Sequence, residues 1–294
     1  MFKNMELGKE MYKWASDLFP INRSLTGIGV RETLAYIKNI IPELELKSIK
    51  SGGKVFDWII PDEWIISEAY IENEHGEKII DFKINNLHIV GYSEPIDSWL
   101  DLKELNKHLH SLPDQPDAIP YITSYYNKYW GFCLTDNQRK SLRDTRYHVV
   151  IKSNFIKGFL NYGEVYIPGK EAKEIFLSTY ICHPSMANNE ISGPVVATQL
   201  IKWIKNLKNH RYSYRIIFVP ETIGAIAYLG TNDNYKHLKK NVIAGFQLTC
   251  VGDNRAVSYI PSRNGKTLAD EVVEFVLKNY IKVFRKYSYL DRGS

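Results

Sequence analysis

Three short apolar runs constrain what this 294-residue chain can fold into. EIFLSTYI at 174–181, YRIIFVP at 214–220 and NVIAGFQLTC at 241–250 have the length of strands and are apolar almost throughout. A strand that is apolar on both sides must be covered on both, which is the condition of a parallel sheet between helical layers. The intervening segments supply such layers. PVVATQLIKWIKNL at 194–207 has an apolar face and two solvent-facing lysines, residues 224–229 suggest a further helical segment, and KTLADEVVEFVLKNY at 266–280 is amphipathic. Buried strands alternating with such helices predict an α/β fold with an open, mostly parallel sheet.

The earlier part of the chain reads differently. Residues 5–18 and 29–40 carry apolar residues at helical spacing, and INRSLTG at 21–27 joins them, with Ser24 or Thr26 a candidate helix cap. From 54 to 150, runs such as VFDWII, EAYIEN and LHIVGY are broken by Pro, Asp and Gly. That is the pattern of antiparallel strands and loops, with one helix predicted near 101–110. The chain therefore divides into an α/β unit made of 1–53 and 151–294 and an inserted, aromatic-rich β subdomain at 54–150. Residues 281–294, IKVFRKYSYLDRGS, read as a strand running to a sheet edge with no closing helix after it.

Composition narrows the functional classes. With 44% hydrophobic and 24% charged residues the chain is of ordinary globular type. Its 38 basic and 33 acidic residues give a net charge of +5, spread without the basic stripe that nucleic-acid binding requires. Cys133, Cys182 and Cys250 are far apart and form no CxxC pair, so the expectation is a reduced, cytoplasmic protein without a disulfide framework. No apolar segment approaches the roughly 18–20 residues that span a bilayer, and the first 20 residues lack the apolar stretch of a signal peptide.

In open α/β sheets ligands bind beyond the carboxyl ends of the strands. The first buried run ends at Cys182 and His183, followed by Asn188, Asn189, Glu190, Ser192 and Gly193. A neutral imidazole there is a metal-ligand type, and an oxygen of Asn189 or Glu190 is suited to join it on zinc. The second run ends at Glu221, placed to be the general base for a metal-bound water. A surface-loop histidine and a glutamate favouring a helix N-terminus account for the same residues without any chemistry. The third run leads to Asp253, Asn254 and Arg255, either a substrate-holding cluster or a plain Gly-Asp turn. Ser192 reads as a helix N-cap, with Pro194 in the first turn. Cys182 reads as a small buried hydrophobe, because neighbours on an extended strand point to opposite faces. No GxSxG, GxxxxGK[ST] or HExxH motif occurs. In the insert, Tyr121, Tyr125, Tyr126 and Trp130 form either a wall for a sugar or peptide or simply core. His108 and His110, two apart on the predicted helix, do not share a face as a metal pair should.

STYICHPSMANNEISGP (178–194), FVPETIGAIAYL (218–229), IPYITSYYNKYWGFC (119–133) and the terminal DRGS carry a family resemblance. The chain resembles the aminopeptidase-like proteins with an inserted β domain that are linked to bacterial polysaccharide biosynthesis, distant relatives of the zinc aminopeptidases. The resemblance implies a sheet of zinc-exopeptidase type and a zinc-dependent hydrolase of an amide or peptide-like bond. His183 and Glu190 would hold one zinc ion and Glu221 would activate water. Asn189, Asp253, Tyr125, Tyr126 and Trp130 would contact a small peptide-like substrate or an amide-bearing sugar, with homo-oligomer formation an option. In the zinc aminopeptidases the bridging aspartate falls on Asn189, the second of two paired glutamates on Thr222, a further aspartate near Thr249, and the final histidine beyond Ser294. Neutral groups at these positions imply one ion rather than two, with a third ligand from a segment outside the chain. A longer relative would carry a last strand and flanking helices, so a chain ending here should expose a sheet edge or helix face. The alternative function is a noncatalytic binding or scaffold member of a polysaccharide pathway, or an inactive shortened homologue.

Overall fold

The computed structural model describes residues 2–143 and 145–291; the last three residues of the DRGS segment lie outside the described residues. Helices α1 (Phe2–Leu18) and α2 (Ile28–Ile40) precede strand β1 (Glu45–Lys50). Neither Ser24 nor Thr26 caps α2. The N-cap is Gly27, whose φ of 99° suits glycine, while the Ser24 hydroxyl donates to Thr26 O and that of Thr26 turns to Asp62 O and the Tyr92 hydroxyl.

A small hairpin, β2 (Lys54–Val55) with β3 (Trp58–Ile59), leads into β4 (Glu63–Glu72), β5 (Lys78–Asp81) and β6 (Ile96–Asp101). The helix expected over 101–110 is a single turn, α3 (Leu102–Leu105), running through a 3-10 turn into β7 (Leu109–His110). Asp101 caps that turn by accepting from Glu104 N, but one turn fixes too few bonds to propagate, and Leu105 and Leu109 are instead drawn into the core. Strand β7 pairs with β8 (Phe132–Cys133), which precedes α4 (Asp136–Lys140). Strand β9 (Arg146–Ile156) completes an antiparallel sheet of order β5-β4-β9-β6.

Beyond β9 come β10 (Phe159–Ile167), β11 (Glu171–Tyr180), a π-helical turn at Ala187–Ile191, α5 (Ser192–Lys205) and β12 (Tyr212–Val219). Helices α6 (Ile223–Gly230) and α7 (Asn234–Asn241), strands β13 (Val242–Gln247) and β14 (Val257–Tyr259), helix α8 (Leu268–Tyr280) and strand β15 (Phe284–Lys286) complete the order. The main sheet is mixed, in the order β1-β10-β12-β11-β13. β11 is parallel to both β12 and β13, whereas β10 is antiparallel to β1 and β12. Alternation along β12 separates two cores. Ile216 and Phe218 join Val30, Leu34, Ala197 and Ile201 under α2 and α5, while Ile217 and Val219 face α6 and the insert through Ile223 and Tyr228. Each fully buried aliphatic side chain of this kind contributes about 1.5–3 kcal/mol by leaving water.

The insert sheet is fastened to the main body. Arg31 on α2 grips Glu63 at the head of β4 with two hydrogen bonds of 2.7 and 3.0 Å, and Glu63 also accepts from Phe159 N at 2.8 Å. Strand β9 runs through residue 151, so the two regions meet within a β9–β10 connection rather than at a flexible linker.

Candidate active site

Parallel pairing sets Tyr180, the last residue of β11, beside Val219, the last of β12, so the residues after both strands arrive at one rim of the sheet. His183 and Glu221 emerge there, and the structure brings them together with Nε2 of the imidazole 3.2 Å from Glu221 Oε2. The other ring nitrogen, Nδ1, donates to Glu190 Oε2 at 2.7 Å. Glu190 reaches inward from the π-helical turn, a local widening that recurs at functional sites. This turn also overrules Ser192 as an N-cap: the hydroxyl donates back to Asn188 O and accepts from Val251 N, as a residue already inside the helix does. Gly193 permits the close approach of the turn to the sheet, since a Cβ there would lie 2.3 Å from Thr179 Oγ1 and 2.4 Å from Leu248 O.

The sequence reading missed Arg23. It lies in the connector between α1 and α2, is 2% exposed, donates from Nε to His183 O at 2.9 Å and from Nη1 to Leu18 O at 2.7 Å, and stands 3.6 Å from Glu190 Oε1. A single arginine in a short polar connector carries little local signal, because its partners are about 160 residues away. Arg23 Nη2 and Glu190 Oε1 are buried without hydrogen-bond partners.

Burial opposes charge on His183, but Glu190 and Glu221, one at each ring nitrogen, outweigh it and hold the imidazole above its ordinary range. The hydrogen bond from His183 in turn pulls the Glu221 carboxyl below the usual value. The rings of Tyr121, from the insert, and Tyr180 meet the imidazole edge-on at 4.7 and 5.2 Å. Cys182 is buried as expected, and burial pushes its thiol up, away from nucleophilic thiolate. The expectation that it would turn away from His183 fails, with Sγ 3.8 Å from Nδ1, because β11 ends at Tyr180 and the chain is no longer extended.

The remaining expected residues have separate surroundings. Asn189 accepts from the Tyr180 hydroxyl at 3.0 Å, and that hydroxyl also bonds Thr249, so the three neutral groups satisfy one another. Asp253 is paired with exposed Arg255 at 2.6 Å, which draws its carboxyl down to about 2. Tyr125 lines a narrow crevice between the insert and the α1–α2 connector, together with Arg23, Trp64, Tyr92, Tyr121 and Pro184. Tyr126 is half exposed and donates to Ile59 O at 3.0 Å. Trp130 stacks on His108 at 3.7 Å. His108 ends a 3-10 turn and His110 lies on β7, hydrogen-bonded to the Tyr129 hydroxyl, so they do not share a helix as expected.

Among the described residues, Cys182, His183 and Glu190 offer one donor atom each within 4.8 Å of one another. The donor set fits one ion better than two. His183 and Glu190 are ligand types for zinc, and Glu190 Oε1 is a buried oxygen with no hydrogen-bond partner in the protein. Asn189 and Thr249 are uncharged and already engaged by Tyr180.

A family model described as a domain of unknown function, DUF4910, matches residues 12–294. A curated Clostridium acetobutylicum protein, named for polysaccharide biosynthesis and an aminopeptidase-like domain, is 48% identical over 273 residues, 92% of this chain and 62% of its own length. The chain thus spans less than two thirds of that relative. A crystal structure of a candidate peptidase from Clostridium acetobutylicum superposes with a TM-score of 0.92 at 46% identity, covering 98% of this chain and 67% of that one. A zinc aminopeptidase from Bacillus subtilis shares the fold at a TM-score of 0.65 and 13% identity, over 95% of this chain and 78% of its own. Among the described residues no helix is long and apolar enough to cross a membrane. The chain belongs to the DUF4910 domain family, and its architecture is that of the aminopeptidase-like proteins.

Proposed function

We propose that the protein hydrolyses an amide or peptide-like bond with the aid of a single zinc ion held by His183 and Glu190, with Glu221 as the base. The observation that carries this reading is the placement of one imidazole between two carboxylates, at 2.7 and 3.2 Å, on the shared rim of two parallel strands. Zinc at such a site supplies Lewis acidity, polarising a carbonyl and lowering the pKa of water. Glu190 Oε2 meets Nδ1 of His183, while its other oxygen, Oε1, is buried without a partner and would be the one offered to the ion. Glu221, on the same rim, would accept the proton of the attacking water and return it to the leaving amine. Tyr121, whose ring meets the imidazole edge-on, would lie against the substrate, with Tyr125 beyond it. The name of the Clostridium acetobutylicum relative supports an amide-bearing sugar as substrate, beside a small peptide.

The neutral Tyr180–Asn189–Thr249 group favours a second reading, a noncatalytic binding protein that keeps the fold and lacks the ion. Elemental analysis decides between them. The purified protein should carry about one equivalent of zinc, and His183→Ala should carry none while keeping its circular dichroism. A metal-free wild type that cannot be loaded with zinc and cleaves no aminoacyl amide or N-acetylated sugar would leave the binding reading.

A further inference from the structure

The edge of the main sheet opposite the candidate active site is strongly basic. Strands β12, β11 and β13 are parallel neighbours, so their first residues share one edge as their last residues share the other. Three segments meet at that first edge. Residues 168–173 lead into β11, 206–211 join α5 to β12, and 231–241 hold α7 and lead into β13. They touch one another, since Glu171 N donates to Arg211 O at 2.8 Å and Lys173 Nζ to Lys240 O at 3.0 Å. Together they carry seven lysines and arginines but only two acids. Arg211 pairs with Glu171 at 2.6 Å and Lys236 with Asp233 at 2.9 Å, which leaves Lys170, Lys173, Lys208, Lys239 and Lys240 in excess. All five are exposed, and among the described residues none is paired with a carboxylate. That excess equals the +5 of the whole chain, so the charges elsewhere sum to neutral. The lysines are dispersed between 170 and 240 in the sequence; the fold brings them to one edge.

Two exposed rings flank the cations. Trp203, in the last turn of α5, is 57% exposed, and Tyr235, in the first turn of α7, is 51% exposed. Helix α5 packs on one face of the sheet through Ala197 and Ile201, and α7 on the other through Leu238, so the rings stand on either side of the basic edge. Lys239 Nζ lies 6.0 Å from the centre of the Tyr235 ring, which presents a cation and an aromatic side by side. Clustered lysines suit the phosphates of an anionic headgroup layer, and Trp and Tyr settle at headgroup level because their rings are apolar with one polar tip. Cations framed by rings on both faces of a sheet suit a flat surface better than a single strand of polyanion, which would follow one line of charge.

We infer that this edge, where β11, β12 and β13 begin, is a docking surface for an anionic lipid bilayer. The five lysines meet the headgroup phosphates, and Trp203 and Tyr235 sit among the headgroups. Strand β12 has eight residues, a length of about 25 Å, so the rim that carries His183 and Glu221 points away from the bilayer and into water. The inference is independent of zinc and of hydrolysis.

The test is flotation of the purified chain with vesicles of phosphatidylcholine alone and of phosphatidylcholine containing about 30% phosphatidylglycerol. Binding is expected to the second only, and should fall as salt rises from about 0.05 to about 0.5 M. Lys170→Gln, Lys208→Gln, Lys239→Gln and Lys240→Gln combined should lower the partition coefficient at least tenfold. Lys9→Gln, Lys50→Gln, Lys54→Gln and Lys103→Gln combined remove the same charge from exposed positions elsewhere and should leave it nearly unchanged. Trp203→Ser with Tyr235→Ser should weaken binding at constant charge, with circular dichroism confirming that each variant is folded. Equal losses in the two lysine variants, no loss in the ring variant, equal binding to both vesicles or binding to neither overturns the inference. Retention on soluble polygalacturonate without vesicle binding also overturns it, and would assign the edge to an acidic polysaccharide.

Discussion

Two charged clusters, one within the main sheet and one beyond the carboxyl ends of β11 and β12, differ in one respect. In the middle of the sheet, Glu164 on β10 and Glu174 on β11 flank Arg215 on β12, with Lys47, Tyr228 and His237 closing the ring. Every carboxylate oxygen there has a donor, including Tyr228 at 3.0 Å and His237 at 2.7 Å. At the carboxyl rim, Arg23, Glu190, His183 and Glu221 form a second chain of charges, but one guanidinium nitrogen and one carboxylate oxygen are left over. A buried polar atom without a partner costs about 1–3 kcal/mol, so its retention asks for an occupant. The closed cluster explains how the sheet tolerates charge; the open one is where the proposed zinc ion would sit.

The largest effect should come from breaking the closed cluster. Arg215→Met strands Glu164 and Glu174 in a site each carboxylate barely exposes, and should cost about 3 kcal/mol in urea unfolding. Bound zinc should survive in whatever fraction stays folded. Glu190→Gln at the open cluster removes a proposed ligand, so zinc affinity should fall by more than the roughly 10–100-fold of an outer partner by competition with a chelator dye, with stability changing less than in Arg215→Met. Equal losses of stability in the two variants would erase the distinction between the clusters.

Acid should act on the closed cluster more gradually. Burial alone would raise the carboxyls of Glu164 and Glu174, but Lys47 and Arg215 at the first, and Arg215 and His237 at the second, hold both below the ordinary 4.5. Groups depressed in the folded state stabilise it fully above the unfolded value and lose that contribution as pH falls through the folded one. The urea midpoint should therefore drop below pH 4.5, and Glu164→Gln should flatten that dependence. A slope unchanged in the variant would mean other carboxylates dominate.

Much of the fold and half of the site were legible in the sequence, for identifiable reasons. The apolar runs that became β11 and β12 are continuous because both faces of each strand are covered, and residues directly after parallel neighbours must share a rim. The meeting of His183 and Glu221 results from that topology. Arg23 was not legible because its role depends on α1 and α2 folding back over the π-helical turn, a contact with no local pattern. The expected 101–110 helix failed for a related reason: Leu105 and Leu109 have helical spacing, yet pairing of β7 with β8 satisfied the backbone differently. Strand β1 and its antiparallel pairing to β10 also escaped notice, since ELKSIK is half exposed and reads as polar linker.

The two walls of the cleft are joined with almost no slack. Only Lys157 and Gly158 separate β9 in the insert from β10 in the main sheet, and the insert's Tyr121 rests against His183. That two-residue tether and the Arg31–Glu63 clamp hold the insert against the main sheet. Under the proposed function, a molecule approaching His183 would therefore have to pass the insert's Tyr121, so the insert would take part in choosing it.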